Sequence, residues 1–433
     1  MDDPHLQTHP KRFLLQLNMH LFYNLFVYFY LFMIRINALF NTKAHQWVSG
    51  RRKIFTQLKK TIPQDEKLLW FHCASLGEFE QGRPVIESIR NRYPGHKILL
   101  TFFSPSGYEI RKNYSGADYV FYMPIDTKKN ARKFIRITRP RMAFFVKYEF
   151  WFNYIHELSK NKIALIYFSV SFRKSQHFFK PWGKWARRQL QKVTYFFVQD
   201  QKSIDLLSGI KVYHAEISGD TRFDRVAGLV EEKKEVEAIA RFKGNSPLMV
   251  AGSTWPADED ILLTLMENPK SSLKLVVAPH EIHRGNILNL MKKFERFNPV
   301  LFSKAKKNGL QTAGVLIIDN IGLLSYLYRY ATLAYIGGGF GVGIHNILEA
   351  ATYGKPVIFG PNYQKFNEAV ELLKLEGAFV VHNAENLLQT VDELLNNKEK
   401  YSHASGVAGQ YVISNAGASQ MVIDKASEYL NSY

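Results

Sequence analysis

From about residue 66 the chain alternates short apolar runs with stretches whose apolar positions recur at helical spacing. KLLWFHCAS (67–75), KILLTFFS (97–104), DYVFYMPID (118–126), MAFFVKY (142–148), KIALIYFSVS (162–171) and VTYFFVQD (193–200) read as strands buried on both faces. EQGRPVIESIRNR (80–92) and SGYEIRKN (106–113) read as helices between them. A second series follows the acidic stretch EEKKEVEAIARF (231–242). It comprises PLMVAGS (247–253), LKLVVAPH (273–280), GVLIID (314–319), ATLAYIGGG (331–339) and PVIFG (356–360). Repeated strand–turn–helix units predict parallel sheets covered on both faces. The expected class is therefore α/β, with two doubly wound domains that join near 225–245 and pack across a cleft.

The N-terminus has a different pattern. From Phe13 to Ile34 no residue carries a formal charge, and as a helix the run would be ~33 Å long, close to a bilayer's hydrocarbon thickness. Gln16, Asn18, His20 and Asn24 interrupt it, and aromatic residues such as Phe22, Tyr23, Phe29 and Phe32 suit a membrane interface as well as its interior. Lys11 and Arg12 precede the run, whereas Arg35, Lys43, Arg51, Arg52 and Lys53 follow it, which leaves the large C-terminal body in the cytoplasm. The expectation is a membrane anchor, spanning or interfacial. A buried core helix is the alternative.

Composition sharpens this picture at two points. Cys73 is the single cysteine among 433 residues, so neither an internal disulfide nor a cysteine-based zinc site is available. Residues 1–230 hold 37 Lys+Arg against 17 Asp+Glu, whereas residues 231–433 hold 20 against 21. The basic excess of the whole chain thus lies in the half that carries the anchor. With no recognised RNA or DNA motif beside it, an anionic lipid surface is the expected partner and nucleic acid is not.

In open α/β sheets ligands bind at the carboxyl ends of strands, and several such loops carry chemistry. The first apolar run ends in Ser75-Leu76-Gly77-Glu78, where Glu78 is either a general base or half of a capping box with Ser75. Tyr148-Glu149-Phe150-Trp151 offers a second acid, and Arg222 a cation near the domain boundary. In the second half, Gly252-Ser253-Thr254 and Gly337-Gly338-Gly339 are candidate phosphate turns, although neither matches a Walker or Rossmann fingerprint. Asn346 and Glu349 have capping-box spacing. His280-Glu281-Ile282-His283-Arg284 lacks the zinc-protease spacing and suits an anion better than a metal.

These segments, in this order, resemble the Kdo (3-deoxy-D-manno-oct-2-ulosonic acid) transferases of lipid A biosynthesis. The resemblance rests on ASLGE (74–78), YEFW (148–151), GDTRFD (219–224), GSTWPADE (252–259), APHEIHR (278–284) and the long segment 337–369 beginning GGGFGVGIHNILEAATYG. It implies the GT-B fold with three regions: an anchor and basic segment over 1–50, an acceptor domain over 51–228, and a donor domain over 229–433 whose last helix packs back on the first domain. It implies an inverting transfer from CMP-Kdo to the lipid A precursor (lipid IVA) at the cytoplasmic face of the bacterial inner membrane, with no metal or other cofactor. Glu78 would be the general base, and Glu149 and Arg222 the transition-state stabilisers. The donor would be bound by Ser253, Thr254, His280, Glu281, Arg284, Ile321, Gly322, Leu323, Gly338, Gly339, Asn346, Ile347, Leu348 and Glu349. Three departures stand out: Pro279-His280-Glu281 replaces Pro-Arg-His, Arg222 replaces a lysine, and Glu149-Phe150-Trp151-Phe152-Asn153 lacks a proline. Another GT-B enzyme, such as a UDP-sugar transferase or epimerase, is the alternative reading.

Overall fold

The computed structural model describes residues 10–232, 234–268, 273–305 and 310–431, with side chains from residue 19 onward. The chain divides into two compact units, one of residues up to Arg225 together with those from Ala416 on, the other of Val226–Asn415. The division falls at 225/226 rather than at the expected 228/229.

The first unit is built on β1 (Leu68–Cys73), β2 (Lys97–Phe102), β3 (Tyr119–Tyr122), β4 (Met142–Val146), β5 (Ala164–Val170), β6 (Tyr195–Val198) and β7 (Ala215–Ile217), in the order β3-β2-β1-β4-β5-β6-β7 and parallel throughout. Because side chains alternate along a strand, β1 feeds two cores. Leu68 and Trp70 join one face, and Leu69, Phe71 and Cys73 the other. Val422, Ile423 and Ala426, from the helix Ala418–Leu430, close that second face. This last helix is held at its start by Asp224, which accepts hydrogen bonds from the Gly417 and Ser419 amides at 2.7 and 3.2 Å.

The second unit repeats the plan with β8 (Leu248–Thr254), β9 (Lys274–Pro279), β10 (Val300–Leu301), β11 (Val315–Ile317), β12 (Leu333–Ile336), β13 (Val357–Phe359) and β14 (Ala378–Val380), ordered β10-β11-β9-β8-β12-β13-β14 and again parallel. β7, β10 and β14 were absent from the sequence reading. Each is two or three residues long at a sheet edge, too short to leave a periodic signal. The run 118–126 gives a strand only to Tyr122. Beyond it Met123 offers its carbonyl to Arg51, which also donates to the carbonyls of Trp47 and Phe103. These three bonds make Arg51, one of the cations that follow the apolar run, a structural clamp, and burial pushes it down to about 9.

The N-terminal helix Pro10–Asn37 lies along the first unit. His20, Tyr23, Asn24, Val27, Leu31 and Ile34 recur at three- and four-residue steps and form its shielded stripe. Tyr23 donates to Asp126 at 2.5 Å, and His20 and Asn24 meet Asn153 at 3.1 and 3.2 Å. Two of the polar interruptions in the apolar run are thus the groups that fasten it. Val27 packs with Trp47 and Ile125. Over Met19–Asn37 the mean hydropathy is 1.4, yet almost none of that stretch is buried.

Candidate active site

The strand order of the first unit reverses between β1 and β4, which opens a crevice at their carboxyl ends. Both candidate acids of that unit lie there. Ser75 caps the helix Leu76–Arg92, accepting from the Glu78 amide at 3.4 Å. The Glu78 side chain does not return to the Ser75 amide, as a capping box requires, but accepts from the Ala74 amide. Half-buried in this position, Glu78 is pushed up to about 7, first by burial and then by the charge of Glu149. Glu149 is likewise raised to about 7 by burial, against a lowering contribution from the Trp151 indole N–H. Two carboxyls raised toward neutrality beside each other mark these strand ends as a candidate site.

A buried polar chain stands behind Glu149. The Trp151 indole, which can only donate, lies 3.1 Å from His72 Nε2, so that nitrogen is the acceptor. The proton of His72 is then on Nδ1 and goes to Thr101 Oγ at 2.9 Å, which also receives the Trp70 indole N–H at 2.8 Å. His72 is fully buried, and burial holds it down at about 3. The 3.7 Å approach of His72 Nε2 to Glu149 is therefore not an ion pair. Instead His72 fixes the Trp151 indole beside Glu149. Lys147, at positive φ (57°) immediately after β4, is near enough to pull Glu78 downward. Sequence reasoning missed both His72 and Lys147, since a buried histidine in an apolar strand and a lysine at a strand end carry no local signal.

Arg222 is tied to the same helix as Glu78. Its Nε and its amide donate to Asp220 at 2.9 Å, and Asp220 also accepts from Gln81, one turn after Glu78, at 2.8 and 3.0 Å. Gln199 makes a further 2.8 Å bond to that carboxylate, and the Thr221 hydroxyl donates to the Gln81 carbonyl at 2.6 Å. Arg222, whose side chain is 30% exposed, is therefore anchored through Asp220 to the helix that carries Glu78.

In the second unit the strand order reverses between β8 and β12. Neighbouring strand ends bring together Ile321-Gly322-Leu323 after β11, His280 at the end of β9, Ser253 and Thr254 in β8, and the glycine run after β12. Ser253 has φ 55° at a register shift, a strained conformation of the kind found at ligand sites. The rings of Trp255, His280 and His345 form one stack, with centroids 4.7 and 4.5 Å apart. Burial and the neighbouring His280 hold His345 below the ordinary imidazole range. Glu281 lies 3.4 Å from His283 Nε2, and Arg284 begins the helix that His283 caps.

Two expectations change here. Gly338 does not offer its amide to a phosphate, because that N–H donates to the buried carboxylate of Asp258 at 2.8 Å. Asp258 also accepts from Tyr335 and Trp255 at 2.8 and 2.9 Å, so the turn holds its own anion. Gly337 is required for packing, since a Cβ there would overlap the Ser253 carbonyl. Nor is Asn346–Glu349 a capping box. Asn346 accepts from the Leu348 amide at 3.2 Å and donates to Glu349 at 3.3 Å, ahead of the single helical turn Leu348–Ala351. Among the described residues no cluster of three or more His, Cys, Asp or Glu has metal-binding geometry.

Comparison with known proteins adds to this geometry. Residues 49–225 match the sequence model of the 3-deoxy-D-manno-octulosonic-acid transferase (kdotransferase) family. The chain is 28% identical over 357 residues to the 3-deoxy-D-manno-octulosonic acid transferase of Aquifex aeolicus, covering 80% of this chain and 92% of that one. It is 25% identical over 376 residues to the enzyme of the same description from Haemophilus influenzae, covering 84% and 87%. A bifunctional glycosyltransferase/methyltransferase of Fusobacterium nucleatum is 28% identical over 370 residues, 80% of this chain but 57% of that longer protein. Among solved structures, the UDP-GlcNAc 2-epimerase of Neisseria meningitidis shares the fold, with a TM-score of 0.60 at 17% identity and coverage of 85% and 100%.

Proposed function

We propose that the chain, which is similar to Kdo transferases over 80% of its length, is a glycosyltransferase that transfers Kdo from CMP-Kdo to the tetra-acylated lipid A precursor. One observation carries this reading of the site: Glu78 and Glu149 meet where the strand order of the first unit reverses, both raised to about 7. A carboxylate that titrates near the working pH is matched to taking a proton from a sugar hydroxyl.

Glu78 accepts the proton of the acceptor hydroxyl as its oxygen bonds to the Kdo anomeric carbon. The bond from that carbon to the CMP phosphate breaks, its electron pair leaves with CMP, and a single displacement inverts the centre. Glu149, with the Trp151 indole fixing its carboxylate, faces the positive charge that develops on the sugar. Arg222, rigidly held through Asp220, supplies the complementary charge for the departing phosphate. CMP leaves as a phosphate monoester, so basic groups and amides suffice and no metal is required. The ring stack of Trp255, His280 and His345, with Glu281, Arg284 and Glu349 around the same strand ends, is assigned to the nucleotide.

The enzyme belongs, on this reading, to the cytoplasmic face of the inner membrane, with its N-terminal helix lying in the interface. Docking of His20, Tyr23, Asn24 and Val27 on the first unit supports this, because a helix shielded along one side cannot be ringed by lipid. The test is incubation of detergent-solubilised protein with CMP-Kdo and the tetra-acylated precursor, followed by the mass of the lipid. A gain of Kdo units that Glu78→Ala abolishes, that CMP inhibits better than UDP and that survives chelation of metals is the expected result. No gain while CMP binds would reject the acceptor, and no CMP binding would reject the donor.

A further inference from the structure

The N-terminal helix is apolar around its circumference but docks by one stripe only. Opposite that stripe Phe22, Leu25, Phe29 and Phe32 are 59–63% exposed and form a continuous apolar surface with Phe26 and Tyr28. Between this surface and the body of the first unit lies a cavity of about 520 Å³. Tyr23 and Val27 of the helix line one side, and Phe103, Phe150 and Phe178 line the others. Phe26 belongs both to the cavity and to the exposed apolar face, so the two are continuous. Glu149 and Trp151 also line the cavity. One loop, residues 148–152, therefore supplies both the carboxylate and part of the aromatic wall.

Gln176, His177 and Tyr148 add polar groups at its margin, but no Lys or Arg lines it and most of the wall is apolar, so a phosphate would lack a permanent cation there. A hydrocarbon chain matches this wall, and Phe26 connects the cavity to the apolar face of the helix, a path that avoids water. We propose that this cavity receives one acyl chain of the lipid acceptor, drawn from the leaflet past Phe26, and that the bound chain aligns the acceptor's hydroxyl with Glu78 and Glu149. The inference rests on the reading of the chain as a lipid-directed transferase. It goes further by making the N-terminal helix part of the acceptor site and not only an attachment to the membrane.

Two measurements test it separately from transfer itself. In full-length protein in detergent, a dibromostearate probe is expected to quench the Trp151 emission saturably, read as wild type minus Trp151→Phe. The acylated precursor should displace the probe, and its deacylated form should not. In the transfer assay, Val27→Phe, which fills the cavity, is expected to lower the ratio of kcat/KM for acylated over deacylated acceptor at least tenfold. Absence of saturable quenching overturns the proposal, as does displacement by bulk phosphatidylethanolamine as effective as by the precursor. An unchanged ratio in Val27→Phe, in protein whose circular dichroism matches wild type, overturns it too. Quenching that behaves as expected in a protein that transfers no Kdo would leave the cavity assignment standing and reject the transferase reading alone.

Discussion

The pair Glu78 and Glu149 makes the pH profile of the enzyme a direct test of its site. An ordinary glutamate titrates near 4.5, and Glu78 is raised to about 7, first by burial and second by Glu149. At ~1.36 kcal/mol per pH unit, its ionised form is disfavoured by about 3 kcal/mol. If Glu78 takes the acceptor's proton, kcat/KM must fall on the acid side, to about one-tenth of its plateau at pH 6. An unperturbed carboxylate would leave the rate flat over the same range. Glu149→Gln removes the second cause and keeps the first. The acid limb should then move down, on whatever activity remains. Initial rates of Kdo transfer between pH 5.5 and 9 at constant ionic strength measure both limbs. A flat wild-type profile between pH 6 and 8 would refute the assignment of Glu78. An acid limb that stays in place or rises in Glu149→Gln would refute the coupling between the two groups.

Other consequences follow from the same geometry. Asp126, fully buried, is raised to about 7 by desolvation, as are Glu78 and Glu149 by the same first cause. Between their unfolded values near 4 and about 7 these groups bind more protons folded than unfolded, so their contribution to stability falls as pH rises through that window. The Tm in detergent should therefore be higher at pH 5.5 than at pH 8, with the difference reduced in Glu78→Gln/Glu149→Gln. Asp126→Ala leaves the Tyr23 hydroxyl and the Asn153 and Tyr154 amides without their acceptor, at about 1–3 kcal/mol for each group left buried. Limited proteolysis should then release the N-terminal helix before the rest unfolds. Asp258→Ala leaves the Gly338 amide and the Tyr335 hydroxyl unpaired, for a loss of about 2–6 kcal/mol. CMP binding by calorimetry should weaken together with the Tm of the second unit.

Much of the architecture was legible because parallel strands are buried on both faces and write themselves as apolar runs. Every strand of four or more residues had been anticipated, from Leu68–Cys73 to Leu333–Ile336, and the misses are three edge strands of two or three residues. The site was legible only in outline. Glu78 stood out as an acid after a strand, but Ser75-x-x-Glu78 spacing could not tell a cap from a base, and the answer came from the Ala74 amide. The glycine run announced a turn, yet nothing nearby in sequence says that Asp258, eighty residues upstream, occupies the Gly338 amide.

The sequence by itself determined the class of fold, the two series of strands, an apolar N-terminus beside a basic half, and the resemblance to Kdo transferases. All of these are written in local periodicity, composition and short ordered motifs. Only the tertiary structure decided that His72 is a neutral acceptor beside Glu149, that Arg51 clamps backbone carbonyls, and that His20 and Asn24 fasten the anchor instead of interrupting it. The reason is physical. Protonation state, desolvation and hydrogen-bond partnership depend on which groups are brought within a few ångströms, and those groups lie from tens to more than a hundred residues apart along the chain.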